Sequence, residues 1–594
     1  MFKTWLKNND PKDFVFDGSK LFPPATDREF WGAKVRPGVV ENAEQYINYS
    51  WPEIKATDYM AFNLEGERAL QEIPHFARRE ALMQLAVAEL LEYKGRFLPD
   101  LVNGIFAICE ETYWGVSAHG HGPQPRPMLP SAAEPYIDLF AAETAELIAV
   151  TCYLLRDALA GFCPEILERA EYELDRRICV PFLAHADYWW MGYEKRPNNW
   201  CPWISSNILT VFLLTEKDPE RFCKALTKNM GEIQHYYEGL PADGACDEGI
   251  AYWKHAGGKL FEYCDQLYRV TDGKIDLFGD AKLQKVSYYP FYAYVGENKV
   301  LNFADGTLHT DKNMEYITYM FGRRVGNAQL SALSKELLSY HVPYEAIKEY
   351  LYALIYEADI QAQPAYVSGS DYFLPCVQVA SHREGKWYCG AKGGSNGESH
   401  NHNDVGNFGV FYDKKPVLID PGTGMYVRMT FSDRRYEIPT MQSAWHNLPV
   451  INGCMQGVGK EFAADRFTAD GGSFACSFAG AYPAGAGVEK LERQITVNGE
   501  GIALTDSFAF AGEENTVCEH FITALPVEAE GGRAILGGEF ELVADRDVAV
   551  TTDSLNVAGD KKLEGNWETD TLKRIIMTFP AGKEASITVT LKKL

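Results

Sequence analysis

Two histidines separated by one residue stand in a polar run of the chain, Ser-His-Asn-His-Asn-Asp at residues 399–404. Side chains alternate faces along an extended strand, so His400 and His402 are expected to point the same way. Asp420 follows a short apolar segment, and His446 lies further along the chain. Imidazole and carboxylate groups are ligands that divalent transition metals accept. The sequence therefore predicts a metal site formed by His402, Asp420 and His446. The alternative is that the histidines only hydrogen-bond turns in a Gly/Asn-rich loop.

The order of the motifs around these residues resembles the heparinase II/III family of polysaccharide lyases. The resemblance rests on residues 399–408, 419–424, 434–437 and 445–447. It implies an incomplete (α/α) toroid of helices followed by an antiparallel, sandwich-like β-sheet domain. It also implies that His402, Asp420 and His446 hold the metal, while His400 faces the substrate as a catalytic or carboxylate-binding residue.

The implied cofactor is one divalent metal ion, with zinc as the first choice and manganese as the second, since two histidines and a carboxylate suit both. In many hydrolases such an ion activates water, but an elimination needs no water. We therefore expect a structural ion. Because His402 is two residues from His400, the ion would fix the loop that presents His400.

The length and charge of the chain restrict its partners. A chain of 594 residues is too long for one core, which predicts several domains. Its net charge of −25 disfavours nucleic acid and anionic membrane surfaces. The same charge makes short oligosaccharides easier partners than long polyanions. The oligomeric state is not predicted.

The cysteines and the N-terminal segment indicate a compartment. The 13 cysteines include no Cys-X-X-Cys pair and mostly lie in apolar contexts, which is typical of reduced, buried thiols. The N-terminal segment lacks an apolar core of the kind found in signal peptides. We expect a cytoplasmic protein, unless a signal peptide has been removed from the chain.

The hydrophobic period changes along the chain. Apolar residues recur at steps of three and four after Pro164, which suits the first turn of a helix. After about residue 365 the period becomes two, and Asn498-Gly499 separates two alternating segments as in a hairpin. The sequence predicts an α+β multidomain protein with a helical domain at 1–365 and an antiparallel β-sheet domain at 366–594 that carries the metal site. The resemblance selects the toroid for the helical domain.

The resemblance also implies catalytic residues outside the histidine run. A uronate lyase must remove the proton alpha to a carboxylate, neutralise that carboxylate and protonate the leaving oxygen. Tyr252 would carry both proton transfers, with Asn199 and His400 on the carboxylate and Tyr436 as a second phenol candidate. Many relatives have a histidine after the asparagine, where this chain has Trp200, so a two-base scheme that depends on that histidine is not expected. The alternatives are that Asn198 and Asn199 cap a helix and that Tyr252 is a core aromatic residue.

Five residues are predicted to bind substrate. Trp114 would stack on a sugar, and Glu111 or His119 would bond a hydroxyl, although a buried aromatic beside a satisfied histidine is an equal alternative. The other two predicted substrate-binding residues are Trp200 and Arg435.

The function that follows is a polysaccharide or oligosaccharide lyase. It would cleave a uronic-acid-containing glycan, such as heparan sulfate, hyaluronan, chondroitin or alginate, by β-elimination and leave an unsaturated uronate. One alternative is a glycoside hydrolase on a helical toroid, which would need two carboxylates flanking the scissile bond. Another is a glycan-binding protein without catalytic activity.

Overall fold

The computed structural model describes residues 1–36, 38–120, 127–310, 314–338 and 346–594. Contacts between residues divide the chain into two compact units. The helical unit comprises Met1–Leu240, Lys254–Gln284 and Lys312–Ala365. The sheet unit comprises Pro241–Trp253, Lys285–Asp311 and Tyr366–Leu594. The predicted domain limits at 365 and 366 stay a prediction, but two inner segments of the predicted helical range belong to the sheet unit.

The helical unit is built almost entirely of α-helices. Pro164 begins the helix Pro164–Leu174, where its missing N–H has no partner to lose, as predicted. Leu139–Leu154 and Trp200–Thr215 are buried on nearly every side, as expected of central helices. The helices in this unit are Phe2–Asn8, Arg28–Gly32, Val39–Ala43, Ala56–Glu65, Ala69–Glu92, Leu98–Cys109, Leu139–Leu154, Arg156–Phe162, Pro164–Leu174, Val180–Ala184, Trp200–Thr215, Pro219–Gly239, Lys259–Val270, Met314–Val325, Ala328–Glu336 and Ile347–Gln361, and Ala281–Val286 runs across its limit.

The sheet unit contains antiparallel sheets and three short helices, Ile250–Trp253, Tyr289–Ala293 and Lys561–Trp567. In spatial order, the largest sheet contains Arg466–Asp470, Ser473–Ser477, Val488–Asn498, Gly501–Phe510, Glu584–Lys593, Phe540–Ala544, Arg533–Leu536 and Val527–Glu530. A four-stranded sheet contains Ala549–Asn556, Thr571–Ala581, Asn515–Thr523 and Pro449–Ile451. A five-stranded sheet contains Asp371–Leu374, Val379–Glu384, Trp387–Lys392, Phe408–Tyr412 and Lys415–Leu418. Two-stranded pairs join Tyr294–Gly296 to Lys299–Val300 and Ser395–Asn396 to Gly459–Ala463.

The predicted hairpin at Asn498-Gly499 is confirmed in register. Ile495 lies opposite Leu504, and Val497 lies opposite Ile502. All four side chains are buried in one apolar cluster of the sheet unit. Apolar and polar residues alternate along these strands, so the apolar side chains all lie on one face of the hairpin, and that face packs in the core.

The fold class is confirmed: helices occupy the first part of the chain, and antiparallel sheets occupy the second. All 13 cysteines are unpaired, as predicted for reduced thiols. Within the described residues, no helix is both long and apolar enough to cross a membrane.

Candidate functional site

The centre of the candidate site is Asp305 in the sheet unit. Its carboxylate is 2% exposed and receives hydrogen bonds at both oxygens. His400 Nδ1 lies 2.8 Å from Oδ2, and His402 Nε2 lies 3.1 Å from Oδ1. The guanidinium of Arg435 donates to Oδ1 at 2.7 Å, and the hydroxyl of Tyr426 donates to Oδ2 at 2.9 Å. One carboxylate thus joins two predicted site histidines, a predicted arginine and a tyrosine.

Asp305 is held in its charged form. Burial alone raises the pKa of the Asp305 carboxyl, but the hydrogen bonds from His400 and His402 and the charge of Arg435 hold that pKa well below its usual range. A carboxylate that accepts from Nδ1 of a histidine fixes the orientation of the ring. The other nitrogen of His400, Nε2, lies 3.6 Å from the buried carboxylate of Glu248.

Tyr252 is connected to this carboxylate through a second phenol. Its hydroxyl lies 2.6 Å from the hydroxyl of Tyr426, which donates to Asp305. The ring of Tyr252 stacks on the imidazole of His400, with ring centroids 4.1 Å apart. Burial, together with Tyr252 and Asp305, raises the pKa of Tyr426 far above its usual value. Tyr426 is therefore a neutral phenol. Its oxygen accepts a hydrogen bond from the hydroxyl of Tyr252, and its own O–H donates a hydrogen bond to Asp305.

Tyr436 and Arg435 contact the histidine loop at Asn401. Tyr436 donates a hydrogen bond to the side chain of Asn401 at 3.0 Å, and burial raises its pKa. Arg435 also donates to the backbone oxygens of Asn401 and Thr430. Protein acceptors thus engage the guanidinium of Arg435, and its predicted contact with substrate stays a prediction.

The loop that carries the histidines differs from the prediction. An extended strand was expected for His400 and His402, but the strand Ser395–Asn396 ends before them and His400 has φ of +56°. The left-handed conformation is uncommon for residues other than Gly, but His, Asn and Asp adopt it more often than the rest. A buried ion pair between Lys392 and Asp404, at 2.7 Å, holds the far end of the loop. Both imidazoles still reach one partner, because the two oxygens of Asp305 receive one each.

The predicted metal ligands are brought together. His402, Asp420 and His446 each offer a ligand atom, these atoms lie within 4.8 Å of one another, and all three residues are buried. His402 Nδ1 and His446 Nε2 have no hydrogen-bond partner, which is costly for buried polar atoms. Asp420 follows the strand Lys415–Leu418, and its side chain accepts from Asn407 at 2.8 Å.

These residues fit a divalent metal. Burial lowers the pKa of His446, but the adjacent Asp420 carboxylate outweighs burial and raises it overall. The hydrogen bond of His402 Nε2 to Asp305 leaves Nδ1 for an ion, which is the usual arrangement of a carboxylate behind a metal-binding histidine. The three residues could therefore hold one ion with two nitrogens and a carboxylate oxygen.

The structure places Asn199 at the start of the helix Trp200–Thr215 in the helical unit, where it is 2% exposed. The side chain that caps this helix belongs to its neighbour, since Asn198 accepts from the backbone N–H of Trp200 at 3.1 Å. Trp200 packs against His119, with ring centroids 4.7 Å apart, and His119 Nδ1 lies 3.1 Å from an Asp138 oxygen. The structure therefore brings two predicted substrate-binding residues, Trp200 and His119, into contact. The catalytic role of Asn199 stays a prediction.

Glu111 and Trp114 are enclosed by the helical unit. Glu111 forms ion pairs with Arg79 at 2.6 Å and with Arg78 at 3.0 Å. Trp114 is 1% exposed, and its indole N–H donates to the backbone oxygen of Ile108. A sugar could reach either residue only if this cover moved, so their substrate-binding roles stay predictions that the packing does not favour.

Two residues of the site were absent from the sequence predictions, Asp305 and Tyr426. Asp305 stands in an ordinary-looking Ala-Asp-Gly turn, and its partners are 95 to 130 positions away in the chain. Tyr426 lies six residues after Asp420, between the resembling segments 419–424 and 434–437, and this proximity is the one local signal that could have identified it.

Comparison with known proteins supports the fold. No protein-family model and no curated protein sequence matches the chain. Among solved structures, heparinase III matches with a TM-score of 0.62 and 13% identity over 98% of this chain and 93% of that chain. Heparan sulfate lyase HepC from Pedobacter heparinus matches with a TM-score of 0.58 and 12% identity, over 95% of this chain and 86% of that chain. A Paenibacillus xanthan lyase matches with a TM-score of 0.51 and 11% identity, over 97% of this chain and 58% of that chain. The chain therefore has the fold of heparinase-like polysaccharide lyases.

Proposed function

We propose that this protein is a polysaccharide lyase that cleaves a uronic-acid-containing glycan by β-elimination. The observation that carries the proposal is the hydrogen-bonded chain from Tyr252 through Tyr426 to Asp305 and His400. It combines a phenol, a fixed imidazole and a carboxylate in one cluster. The fold of the solved lyases supports the same reaction class.

The cluster contains the groups that an elimination requires. A base removes the proton alpha to the uronate carboxylate, negative charge develops on that carboxylate, and the bond to the leaving oxygen breaks as that oxygen gains a proton. Tyr252 would act as a tyrosinate: its oxygen takes the first proton, and the resulting phenol gives a proton to the leaving oxygen. The hydrogen bond between the two tyrosine oxygens fixes the position of the Tyr252 oxygen. Tyr426 is thus a positioning residue for Tyr252.

His400 would bind the uronate carboxylate. Its Nδ1 bonds to Asp305, and its Nε2 lies 3.6 Å from the carboxylate of Glu248, beyond hydrogen-bond distance, so Nε2 would be the atom that bonds the uronate. Asn199 would share that task, as the resemblance implies. The substrate class is a uronic glycan such as hyaluronan, chondroitin, heparan sulfate or alginate, and short chains suit a protein of net charge −25.

The metal would have a structural role. His402, Asp420 and His446 would hold one ion, zinc before manganese, and the bound ion would supply a cross-link between three segments of the sheet unit. Asp305 accepts from both His402 and His400. If His402 moved, the Asp305 carboxylate would move with it, and His400 would lose its fixed orientation.

A direct test separates elimination from hydrolysis. The purified protein is mixed with unsulfated hyaluronan, chondroitin and alginate oligosaccharides, and products are followed by the ultraviolet absorbance of an unsaturated uronate and by mass spectrometry in heavy-oxygen water. A lyase gives the absorbance and incorporates no solvent oxygen. Incorporation of solvent oxygen without the absorbance would instead support a hydrolase, and binding without products would support a glycan-binding protein.

A further inference from the structure

The helical unit contains a cavity of about 630 Å³ that the proposed elimination does not use. The segment 19–24 forms one side of it, and residues near the C-terminal ends of the helices Lys259–Val270 and Met314–Val325 form another. Pockets for small molecules generally span about 300 to 1,000 Å³, so this cavity has the volume of an ordinary ligand site.

The cavity is distant from Asn199, the residue of this unit that is proposed to bind the uronate. Gly18, next to the segment 19–24, packs so closely that a Cβ there would lie 2.3 Å from the backbone oxygen of Leu213. Leu213 is near the C-terminal end of the helix Trp200–Thr215, whereas Asn199 precedes its first residue. A helix rises about 1.5 Å per residue, so Leu213 lies about 21 Å from Asn199. A ligand in the cavity would therefore be a separate ligand from the one at Asn199.

Two arginines in the wall are held by one carboxylate. Asp265 is 1% exposed and accepts from Nε of Arg324 at 2.7 Å at one oxygen and from Nε of Arg269 at the other. The guanidinium of Arg324 also lies over the ring of Tyr268, 3.9 Å from its centroid. A guanidinium that is stacked and bonded at Nε has a fixed orientation, so its two terminal nitrogens form a rigid fork.

The fork of Arg324 is open to a ligand. Within the part of the chain that the structure describes, no acceptor bonds Nη1 or Nη2 of Arg324, and neither nitrogen is buried. The side chain as a whole is 20% exposed. In contrast, Nη2 of Arg269 is buried without a partner. Arg324 therefore supplies the hydrogen-bond donors of the cavity, and Arg269 adds its charge behind them.

The charged groups of the wall sum to one positive charge. Lys20 pairs with Asp272, and Arg269 and Arg324 share Asp265. This excess occurs on a chain whose net charge is −25. An anion that carries one negative charge would balance it, whereas a second negative charge would be without a cation.

The remaining wall offers apolar surface. Pro23, Phe30 and Ile355 line the cavity and are only half-buried, and the ring of Tyr356 lines it as well. A ligand that covers these side chains removes apolar surface from water, which favours binding. Apolar walls with a few fixed polar groups are typical of ligand pockets.

We propose that this cavity is a binding site for an organic monocarboxylate with an apolar body. The carboxylate would accept two hydrogen bonds from the fork of Arg324, whose planar geometry matches it. The apolar body would lie against Pro23, Phe30 and Ile355. An uncharged amide of the same shape lacks the charge that balances the wall, and a phosphate monoester brings a second negative charge.

The test measures binding of 1-naphthylacetate to the full-length protein by isothermal titration calorimetry. The salt concentration is about 0.15 M, where charges are screened beyond about 8 Å and the net charge of the chain acts least. The amide of this acid is the uncharged control, and acetate is the control without an apolar body. The acid is expected to bind at least about tenfold more tightly than either control, the factor that corresponds to about 1.4 kcal/mol. Equal binding of acid and amide, tighter binding of 1-naphthyl phosphate, or no binding of the acid would overturn the proposal.

Two arginine variants locate the binding. Arg324→Met removes the fork and should weaken 1-naphthylacetate by about tenfold or more. Asp265 keeps its bond from Arg269, so the variant should fold, which a thermal melt checks. Arg323→Met, at the preceding residue of the same helix, is the matched control, because Arg323 is exposed and lies outside the cavity lining. It should leave the affinity unaltered, and an equal response of the two variants would mean that net charge, and not the cavity, determines binding.

A third variant tests the apolar wall. Phe30→Ala should weaken 1-naphthylacetate several-fold and leave acetate unaltered, because acetate has no body to contact the ring. Unchanged affinity for 1-naphthylacetate in a folded Phe30→Ala protein would refute the assignment. Absence of lyase activity would leave these binding results standing, so the two proposals fail separately.

Discussion

Two buried polar clusters of this protein are organised in different ways. In the helical unit, three lysines and three glutamates lie together with exposures of 0–1%. Lys259 contacts Glu262 at 3.0 Å and Glu349 at 2.5 Å, and Lys348 contacts Glu146 at 2.7 Å. Lys254 completes the cluster by contacting Glu349 at 3.0 Å. Each charge in this ionic cluster has at least one partner of opposite sign, although one oxygen of Glu262, Oε1, has no hydrogen-bond partner.

The cluster around Asp305 in the sheet unit lacks such balance. One carboxylate receives hydrogen bonds from two imidazoles, a guanidinium and a phenol, and two nearby imidazole nitrogens of the metal triad have no partner. A structural network requires every buried charge to have a partner of opposite sign, because an unpaired buried charge is costly. Incomplete pairing at buried groups is typical of sites that wait for a ligand. The comparison therefore assigns structure to the first cluster and chemistry to the second.

The largest effect is expected from Tyr252→Phe. The ring can still stack on His400, so the fold should persist, but the proton donor and acceptor is lost. Turnover should fall by roughly 10²- to 10⁴-fold, the usual contribution of a general acid or base. Initial rates of unsaturated-uronate formation measure it, with a thermal melt as the check on folding.

Two further tyrosine variants sharpen this result. Tyr426→Phe should reduce turnover less than Tyr252→Phe, because it removes only the group that positions the Tyr252 hydroxyl. Tyr172→Phe, at a residue that is 62% exposed, is the control and should have wild-type rates. If Tyr252→Phe retains activity within about tenfold, less than a general base supplies, the proton transfers belong to Tyr436 or His400.

Loss of a charge from the ionic cluster should lower the free energy of unfolding. Lys348→Met leaves Glu146 and Glu262 short of a buried cation and should lower the free energy of unfolding by about 3–5 kcal/mol. Lys217→Met is the matched control, because Lys217 forms an exposed pair with Glu171 and should change stability by no more than about 1 kcal/mol. Denaturant unfolding measures both. Equal effects would show that the buried cluster is not a structural network, and a double variant with Glu146→Gln should recover part of the loss.

The metal site distinguishes two neighbouring histidines. His402→Ala should lower both metal content and melting temperature, because an ion that binds the native state stabilises it by mass action. His400→Ala should keep the metal and the melting temperature while turnover falls. Elemental analysis and thermal melts give the comparison. A wild-type protein without stoichiometric metal that gains no stability from added zinc or manganese would contradict the site.

The last prediction concerns Glu232, a carboxyl of the helical unit that is paired less completely. Lys228 contacts one of its oxygens, and the other oxygen has no partner. Burial raises the pKa of Glu232 to about 7, against the opposing charge of Lys228. The folded protein thus keeps a proton that the unfolded chain loses near pH ~4.3. This contribution to stability is present below the unfolded pKa and is lost as pH rises through about 7.

Glu232→Gln should remove that pH dependence. Relative to the wild type, the variant should gain stability as pH rises from about 4.3 to about 7, by on the order of 1 kcal/mol for each pH unit, and the difference should level off above that window. Urea unfolding at several pH values measures the difference. Glu168→Gln, at an exposed position, should run parallel to the wild type, and a parallel profile for Glu232→Gln would show that Glu232 titrates normally.

Local signals predicted the fold class and part of the site. The hairpin at Asn498-Gly499 and the helix beginning at Pro164 follow from turn chemistry and proline geometry, which act within a few residues. The metal triad followed from the spacing of ligand types and from the resemblance to a family. The expected strand at His400 and His402 was wrong, because a Gly/Asn-rich segment takes a turn when tertiary contacts hold its ends.

The sequence by itself determined where helices give way to strands and which three residues could bind a metal, since periodicity and ligand types are readable along the chain. Only the tertiary structure decided which distant residues join the predicted ones in the site. Asp305 is 95 positions from His400 and 121 from Tyr426, and the cluster exists because the fold brings these segments together. The same holds for the opposite outcomes of two predicted residues. Tyr252 meets a phenol and an imidazole, whereas Trp114 is enclosed by helices, and burial of a side chain depends on distant neighbours that local sequence does not encode.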